Sequence, residues 1–247
     1  MSFPETPIIE LDFIDSTNNY AMRLIDADKA HDGMTIVAQS QTGGKGQRGK
    51  TWMDEPGKSL LMSTIVTPAW PLNQQFVFSA SIAAGIANIL QNLYKGWVVN
   101  IKWPNDIIIN DKKAGGILIE NVIRGTRWTH SVVGLGLNVH QDSFPAELPY
   151  ATSLKIGSGK DFNITDLAGE IRGSIWQRAI LEDNIETILQ QYNNLLYKKG
   201  CKQSFFDSNA RWNTTILRVL PNGLLEVQLE QGDITLYQHG QVTWEYR

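Results

Sequence analysis

One short stretch of this sequence combines glycine with positive charge in a way that suits phosphate chemistry. Residues 44–52 read GKGQRGKTW, with three glycines and three cations between Gly44 and Lys50. Glycine lets the backbone approach a ligand closely and adopt positive φ angles, and clustered N–H groups and cations hold phosphate. This stretch, called the glycine-rich loop below, is therefore predicted to bind phosphate.

The glycine-rich loop fits two well-known nucleotide-binding patterns. Residues 44–49 match G-x-G-x-x-G of dinucleotide-binding folds, and residues 44–51 match G-x-x-x-x-G-K-T of P-loop NTPases. Both patterns need a strand before the loop and a helix after it. A strand is predicted before the loop, but Pro56 interrupts any helix after it and residues 59–67 predict a second strand. Without a helix N-terminus to face phosphate, both interpretations are disfavoured.

A second group of polar residues lies where residues 102–120 read KWPNDIIINDKKAGGILIE. Lys102, Asn105 and Asp106 surround a proline turn, and Lys113 comes two residues before a pair of glycines. Two adjacent lysines usually mark a solvated hairpin tip. Here the glycines open space beside the Lys113 side chain, which favours a functional lysine.

The elements that must position these residues are strands mixed with helices, followed by a run of short strands. Candidate strands cover residues 7–14, 35–41, 59–67, 97–101, 105–110, 116–122 and 128–139. Candidate helices follow Ser16-Thr17, cover residues 74–95 and lie between 165 and 199. Short alternating strands after residue 200 predict a small β-barrel. We therefore expect an α+β domain over residues 1–200 and a small β domain over residues 201–247.

Composition restricts the partners and the location of the chain. A net charge of −3 over 247 residues disfavours a generic nucleic-acid binder. The single cysteine, Cys201, allows no internal disulfide, which suits a reducing compartment. No secretion signal and no run of about 18 apolar residues is present, so a cytoplasmic protein without a membrane span is expected. The four histidines have no metal-ligand spacing.

Four segments, taken together and in order, resemble biotin–protein ligases. They are Ser16-Thr17-Asn18, QTGGKGQRGKTW at 41–52, the stretch at 102–120, and GLGLN at 134–138. The resemblance covers residues 14–140. It implies a mixed, mostly antiparallel sheet with packed helices, of the class II synthetase-like type, and a small C-terminal SH3-like β-barrel. It also implies that biotin and Mg-ATP give biotinyl-5′-adenylate, and that a lysine of a biotin carboxyl carrier domain then accepts the biotin.

The resemblance further implies a role for each matching residue. Lys113, which bridges the biotin carboxylate and the α-phosphate, and Arg48, which neutralises phosphate, are the implied catalytic residues. Biotin contacts are implied for Ser16, Thr17, Asn18, Gln41, Gly44, Lys45, Gly46, Lys113 and Gly116. Contacts with ATP or the adenylate are implied for Gln47, Arg48, Lys50, Trp52, Lys102, Asn105, Asp106 and Asn138. Trp52 would pack on adenine or be a core aromatic, Asn138 would bind the adenine edge or form a strand-end turn, and metal ligands are not assigned.

Two departures from the family carry expectations of their own. Lys45, Gln47 and Lys50 stand where many members have arginine, and the uncharged Gln47 predicts weaker retention of the adenylate. The strand pattern begins near residue 7, so we expect a monofunctional ligase without the DNA-binding helix-turn-helix domain of some relatives. A homodimer formed through the sheet is a further expectation from the resemblance.

Two alternatives remain open at this stage. Lipoate–protein ligases have a related fold, although the wider loop motif and KWPND argue against that activity. A non-catalytic protein that binds biotin or its adenylate is the second, although the joint presence of Lys113, Arg48 and Asn138 argues against a dead copy.

Overall fold

A seven-stranded mixed sheet forms the centre of the protein, whose computed structural model describes residues 6–180, 184–207 and 209–244. Its strands are β1 (Ile8–Ile14), β2 (Thr35–Gln41), β3 (Ser59–Val66), β4 (Val99–Lys102), β5 (Asp106–Ile109), β6 (Lys112–Arg124) and β7 (Arg127–Asn138). The strand order is β1-β2-β3-β7-β6-β5-β4. β1 is parallel to β2, and the other neighbouring pairs are antiparallel. The predicted mixed, mostly antiparallel sheet is confirmed.

Helices cover both faces of this sheet. They are α1 (Thr17–Asp26), α2 (Gln75–Leu93), α3 (Leu154–Ser158), α4 (Ile164–Ile180) and α5 (Ile185–Asn194). On one face, buried residues of α2, α4 and α5 join a single large core cluster. On the other face, α1 buries Ala21 and Ile25 against Ile36 and Ile65. The five-residue α3 was not predicted, because so short a helix carries little periodicity.

The long helix α2 is the core helix of the main cluster. The segment Leu72–Leu93 is long and apolar enough by composition to cross a membrane, a property that the sequence analysis did not anticipate. However, 61% of its apolar window is buried inside the protein. Phe78, Ile82, Ile86 and Leu90 recur every four residues and are fully buried, so this stripe packs in the core.

A second, antiparallel sheet follows near the C-terminus. Its strands are β8 (Lys202–Phe206), β9 (Arg211–Val219), β10 (Leu225–Leu229), β11 (Ile234–Tyr237) and β12 (Thr243–Trp244), in the order β11-β10-β9-β8-β12. The predicted small C-terminal β fold is thus confirmed. Phe205, Leu225 and Trp244 belong to the same core cluster as α2 and the central sheet. The division into domains at residues 200 and 201 stays a prediction.

Alternation along β7 separates the side of the sheet that faces α2 from the side that faces α1. Val133, Leu135 and Leu137 lie in the core cluster that contains α2. Because successive strand residues point to opposite faces, Gly134 and Gly136 fall on the α1 side. The Gly-Leu-Gly-Leu pattern therefore fills the core on one face and, on the other, lets Asn18 and Trp52 pack against the backbone.

Candidate active site

A cavity of about 700 Å³ opens where this glycine-lined face meets the glycine-rich loop and the C-terminal sheet. It gathers most of the predicted site residues, namely Ser16, Thr17, Asn18, Gln41, Lys45, Gly46, Gln47, Arg48, Lys50, Trp52, Lys102, Asn105, Asp106, Lys113 and Gly116. Gly44 and Asn138 lie outside its lining. Segments far apart in the sequence thus contribute to one site.

The charges around the cavity are strongly one-sided. Five cations line it, and they are Lys45, Arg48, Lys50, Lys102 and Lys113. Within the described residues, Asp106 is the only carboxylate in the lining. The chain as a whole has a net charge of −3, so the positive potential is local. Such a cavity attracts anionic ligands.

The glycine-rich loop folds back on itself as a tight turn. The Trp52 N–H donates to the Gly44 carbonyl at 2.9 Å, and the Gly46 N–H donates to the Lys50 carbonyl at 2.6 Å. A Cβ on Gly44 would lie 2.7 Å from the Trp52 carbonyl oxygen, so only glycine fits there. As predicted, the next regular element after the loop is the strand β3 and not a helix. The loop therefore lacks the helix that both nucleotide-binding patterns need.

Trp52 forms a wall of the cavity. Its indole lies flat against Gly136, where a Cβ would come within 2.6 Å of the ring. The Lys113 ammonium lies 6.0 Å from the centre of the indole. The indole N–H is buried and has no hydrogen-bond partner among the described residues. Trp52 thus faces the site, whereas its contact with adenine stays a prediction.

Lys113 is held at the cavity by contacts with β5 and with the segment around Ala151. Its ammonium lies 2.7 Å from Asp106 Oδ1. Its backbone N–H donates to the Tyr150 carbonyl at 2.7 Å, and its carbonyl accepts from the Thr152 N–H at 2.8 Å. β6 is therefore held between β5 and the segment around Ala151, with which Lys113 forms a parallel bridge. An anion that binds here must share the ammonium with Asp106.

Lys102 connects the site to the C-terminal sheet. Its side chain is buried, with the residue only 8% exposed, and its ammonium donates to the Trp244 carbonyl at 2.9 Å. Burial lowers the pKa of Lys102 to about 8, although the nearby Asp106 carboxylate opposes the shift. Next to it, the Asn105 amide donates to the Ile117 carbonyl at 2.6 Å and ties the proline turn to β6.

Arg48 reaches from the loop tip to the C-terminal sheet. It adopts a positive φ of 56°, and its guanidinium donates to the His239 carbonyl at 2.7 Å. The guanidinium also lies against Gly240, where a Cβ would overlap it. Burial, and then the Arg48 charge, lower the pKa of His239. The tip of the loop is thus anchored to the C-terminal sheet, and the predicted phosphate contact of Arg48 stays a prediction.

The start of α1 supplies a neutral, polar part of the cavity. We define the cavity floor as three lining residues, Thr17, Asn18 and Gln41, together with Ser63, which lies outside the lining and bonds to the first two. The Thr17 N–H donates to Gln41 Oε1 at 2.8 Å, and the buried Ser63 hydroxyl contacts Thr17 Oγ1 at 2.7 Å and Asn18 Oδ1 at 2.6 Å. Ser16 stands at the N-cap of α1 but makes no side-chain capping bond, so a capping role does not explain it.

Asn138 sits apart from the other predicted site residues. Its amide donates to the Thr152 carbonyl at 3.1 Å, and its Oδ1 accepts from Gln141 Nε2 at 3.4 Å. These bonds hold the chain after β7, as the strand-end interpretation expects. The predicted contact of Asn138 with adenine is not tested by this placement.

Two residues of the site were missed from the sequence. Ser63 lies inside the mostly apolar, fully buried strand SLLMSTIV. Glu120 ends the KWPND stretch, and it accepts a 2.6 Å hydrogen bond from Asn18 Nδ2. The signal for both was polarity at a position that strand alternation assigns to the glycine side of the sheet.

Comparison with known proteins places the chain in a family. The profile of the family described as "Biotin/lipoate A/B protein ligase family" matches residues 10–138. The bifunctional ligase/repressor BirA of Bacillus spizizenii is 37% identical over 172 residues, which is 67% of this chain and 50% of that protein. The biotin–[acetyl-CoA-carboxylase] ligase of Mycobacterium tuberculosis is 33% identical over 129 residues, 50% of this chain and 45% of that protein. The chain thus spans about half the length of these curated relatives.

Solved structures match the fold over nearly the whole chain. The biotin protein ligase of Aquifex aeolicus, in complex with biotin and ATP, superimposes with a TM-score of 0.78 at 21% identity. That match covers 98% of this chain and 99% of the other. Since the family profile covers 10–138 of 247 residues, the chain belongs to the biotin/lipoate A/B protein ligase family.

Proposed function

We propose that this chain is a biotin–protein ligase that forms biotinyl-5′-adenylate from biotin and ATP and transfers biotin to a lysine of a biotin carboxyl carrier domain. The observation that carries the proposal is the division of one cavity into a neutral floor and a cationic remainder. Biotin has a neutral ureido ring at one end and a carboxylate at the other. The ligase names of the relatives point the same way.

The cationic part of the cavity suits the first step. A biotin carboxylate must approach an α-phosphate, and both groups are anionic. The protein therefore has to neutralise charge and hold the two groups in line, and it needs no nucleophile of its own. Lys113, at the boundary with the Trp52 wall, is the cation assigned to both reacting groups, and Arg48, Lys50 and Lys102 are assigned to the phosphates.

A magnesium ion is consistent with the residues present. Mg²⁺ is usually bound by one or two carboxylates together with substrate phosphates and water. Asp106 supplies one carboxylate, and no group of three or more His, Cys, Asp or Glu suited to a metal occurs among the described residues. When bound with ATP, the ion would supply further neutralisation of the phosphates. Asp106 would then divide its interactions between Lys113 and the ion.

The floor favours biotin over lipoate. A lipoyl ring carries a disulfide and offers no strong hydrogen-bonding groups, whereas the ureido ring offers N–H donors and a carbonyl acceptor. Burying the floor against a lipoyl ring would leave polar groups unpaired, at a cost of about 1–3 kcal/mol for each group. The polar lining residues Thr17 and Gln41 therefore support a biotin substrate.

The test is ATP–pyrophosphate exchange driven by biotin. Wild-type protein should exchange pyrophosphate with biotin and not with lipoate. Lys113→Ala should lose about 100-fold or more of the rate, since it removes a cation that stabilises the transition state. Full exchange by Lys113→Ala would contradict its role, and exchange with lipoate would favour the lipoate ligase. Biotin binding without any exchange would favour the non-catalytic binder.

Transfer to the carrier domain completes the proposal. Biotinylation of an isolated carrier domain by purified protein and ATP would support it. Homodimer formation, the absence of DNA binding and a cytoplasmic location stay predictions. Sedimentation, a DNA shift assay and fractionation would test these three in turn.

A further inference from the structure

We propose that Glu120 is a positioning residue that sets the hydrogen-bond polarity of the cavity floor. The inference rests on the proposed biotin function and extends it to a residue outside the cavity lining. Glu120 lies on β6, on the same face as Gly116 and Leu118, which do line the cavity. It bonds to Asn18, which lines the cavity. Its action on biotin would therefore pass through other side chains.

The Glu120 carboxylate contacts two parts of the site at once. Oε2 accepts from Asn18 Nδ2 at 2.6 Å, and Oε1 lies 3.9 Å from the Lys45 ammonium. Asn18 belongs to the floor, whereas Lys45 belongs to the glycine-rich loop. The 2.6 Å bond is the short, charge-assisted kind, and the 3.9 Å ion pair is long and partly exposed. The contact with Asn18 is therefore the stronger of the two.

Glu120 determines which way the Asn18 amide faces. Asn18 Nδ2 has two neighbours that can only accept, Glu120 Oε2 and the Leu118 carbonyl at 3.4 Å. The NH₂ group must point to them, so Oδ1 points to Ser63. The amide is seated against Gly134, where a Cβ would overlap it. Its position is thus fixed by packing and its orientation by Glu120.

The orientation of the Asn18 amide affects the hydrogen bonding of Ser63, which in turn contacts Thr17. The Ser63 hydroxyl contacts both Asn18 Oδ1 and Thr17 Oγ1 but has only one proton. Since Asn18 Oδ1 can only accept, Ser63 donates to Asn18. The Ser63 hydroxyl also faces Thr17 Oγ1 as a donor at 2.7 Å, so the two acceptors share its proton, and the Thr17 hydroxyl itself donates to Gln41 Oε1 at 3.2 Å. Thr17 Oγ1 therefore keeps a lone pair with which to accept a hydrogen bond from the cavity.

Gln41 adds a hydrogen-bond donor beside the acceptor that Thr17 offers. Its Oε1 accepts from the Thr17 N–H at 2.8 Å, so its Nε2 is the group that remains as a donor. The floor thus presents an acceptor at Thr17 beside a donor at Gln41. A ureido ring, with N–H groups flanking a carbonyl, is complementary to that pair. Removing Glu120 would allow the Asn18 amide to flip. The hydrogen-bond polarity of the floor would then no longer be fixed.

The experiment compares Glu120→Ala with the near-isosteric Glu120→Gln. For Glu120→Ala, we expect Kd for biotin by calorimetry and KM for biotin in pyrophosphate exchange to rise roughly tenfold, the equivalent of about one hydrogen bond. KM for ATP and kcat at saturating biotin should change little. Glu120→Gln keeps an acceptor oxygen for Asn18 and should recover most of the biotin affinity. Glu230→Ala, which removes a carboxylate paired with Lys202 on the C-terminal sheet, is the matched control.

Each result decides a separate point. Equal effects of Ala and Gln at position 120 would assign the role to charge near Lys45 and overturn the polarity mechanism. Biotin constants within twofold of wild type in both variants would overturn the role of Glu120 while leaving the proposed ligase function intact. A wild-type protein without biotin-dependent exchange would overturn both.

Discussion

The cavity floor and the glycine-rich loop serve one site but are built in opposite ways. The floor is neutral, with Thr17, Asn18 and Ser63 buried and Gln41 half-buried, and its polar groups are bonded to one another across α1, β2 and β3. The loop is cationic and mostly exposed, and three internal backbone bonds and the Arg48 contact with His239 hold it. Recognition of a neutral ring needs fixed directions, whereas neutralisation of phosphate needs charge that can adjust. The difference predicts that floor variants change biotin binding and loop variants change ATP binding.

Among variants of the floor and the loop, the largest effect should come from the floor. Thr17→Val keeps the side-chain shape but removes the acceptor offered to the ureido ring. We expect Kd for biotin to rise about 10- to 100-fold, because a buried hydrogen bond is lost and Ser63 loses one of its two partners, Thr17 Oγ1. KM for ATP should stay within about twofold of wild type if the division between floor and loop is real. Titration calorimetry and exchange kinetics measure the two quantities.

Thr64→Val is the matched control for Thr17→Val. Thr64 lies next to Ser63 on β3, is fully buried and bonds to Thr35 at 3.1 Å, outside the cavity lining. It should lower the melting temperature to a similar extent without changing biotin affinity. An equal loss of biotin binding in both variants would attribute the effect to general destabilisation.

The next largest effect should come from the contact of Arg48 with the C-terminal sheet, which anchors the glycine-rich loop. Gly240→Ala places a methyl group where the Arg48 guanidinium lies but leaves the charge on the loop. We expect KM for ATP to rise about three- to tenfold, the cost of one charge-assisted hydrogen bond that no longer orders the loop. Biotin affinity should be unchanged. Exchange kinetics over a range of ATP concentrations measures the effect.

Gly232→Ala controls for backbone strain. Gly232 has a φ of 100° and Gly240 a φ of 87°, so alanine is strained at both positions. A Cβ at Gly232 would meet no atom within 4 Å. If Gly232→Ala raises KM for ATP as much as Gly240→Ala does, strain in the C-terminal sheet and not the Arg48 anchor is responsible.

The pH dependence of ATP binding should identify Lys102 as a phosphate contact. Because burial lowers the pKa of Lys102 to about 8, the ammonium loses its charge as pH rises through that value. Anionic phosphates bind the charged form, so KM for ATP should rise several-fold between about pH 7.5 and 9, at most tenfold per unit. Lys102→Arg, which stays charged, should flatten the profile. An unchanged profile would remove Lys102 from the phosphate site.

A change in stability caused by the titration of Lys102 cannot produce this rise in KM for ATP. The pKa is lower in the folded protein than in an unfolded chain, so the buried charge destabilises the fold below about pH 8. That cost disappears as pH rises between the folded and the unfolded values. Stability from this group therefore increases over the range in which ATP binding should weaken.

The sequence was sufficient for the frame of the molecule and for the residues in local motifs. Pro56 stopped a helix after the glycine-rich loop, and the strand predicted over residues 128–139 corresponds to β7. The sequence could not predict contacts between distant segments. Arg48 and His239 are 191 positions apart, and no local pattern links them. Ser63 was hidden because a buried serine that bonds to other side chains looks like a tolerated core residue.

The smallest effect is expected at Gln47, where the loop departs from its arginine-rich relatives. Gln47 lies between the main cavity and an adjoining one of about 380 Å³ beside α2. Its Oε1 is buried and has no hydrogen-bond partner among the described residues, so the side chain contributes little to holding the loop. A guanidinium at this position would add both charge and donors.

Gln47→Arg should therefore retain the adenylate longer. In single-turnover reactions without acceptor, we expect its release to slow about threefold, less than one full charge-assisted hydrogen bond would give, since the loop tip is partly exposed. Gln47→Lys supplies charge without the planar fork and should fall between the two. Equal release from all three proteins would mean that retention depends on the floor and on Lys113, and that the loop serves chiefly to bring ATP to a site whose geometry the sheet already determines.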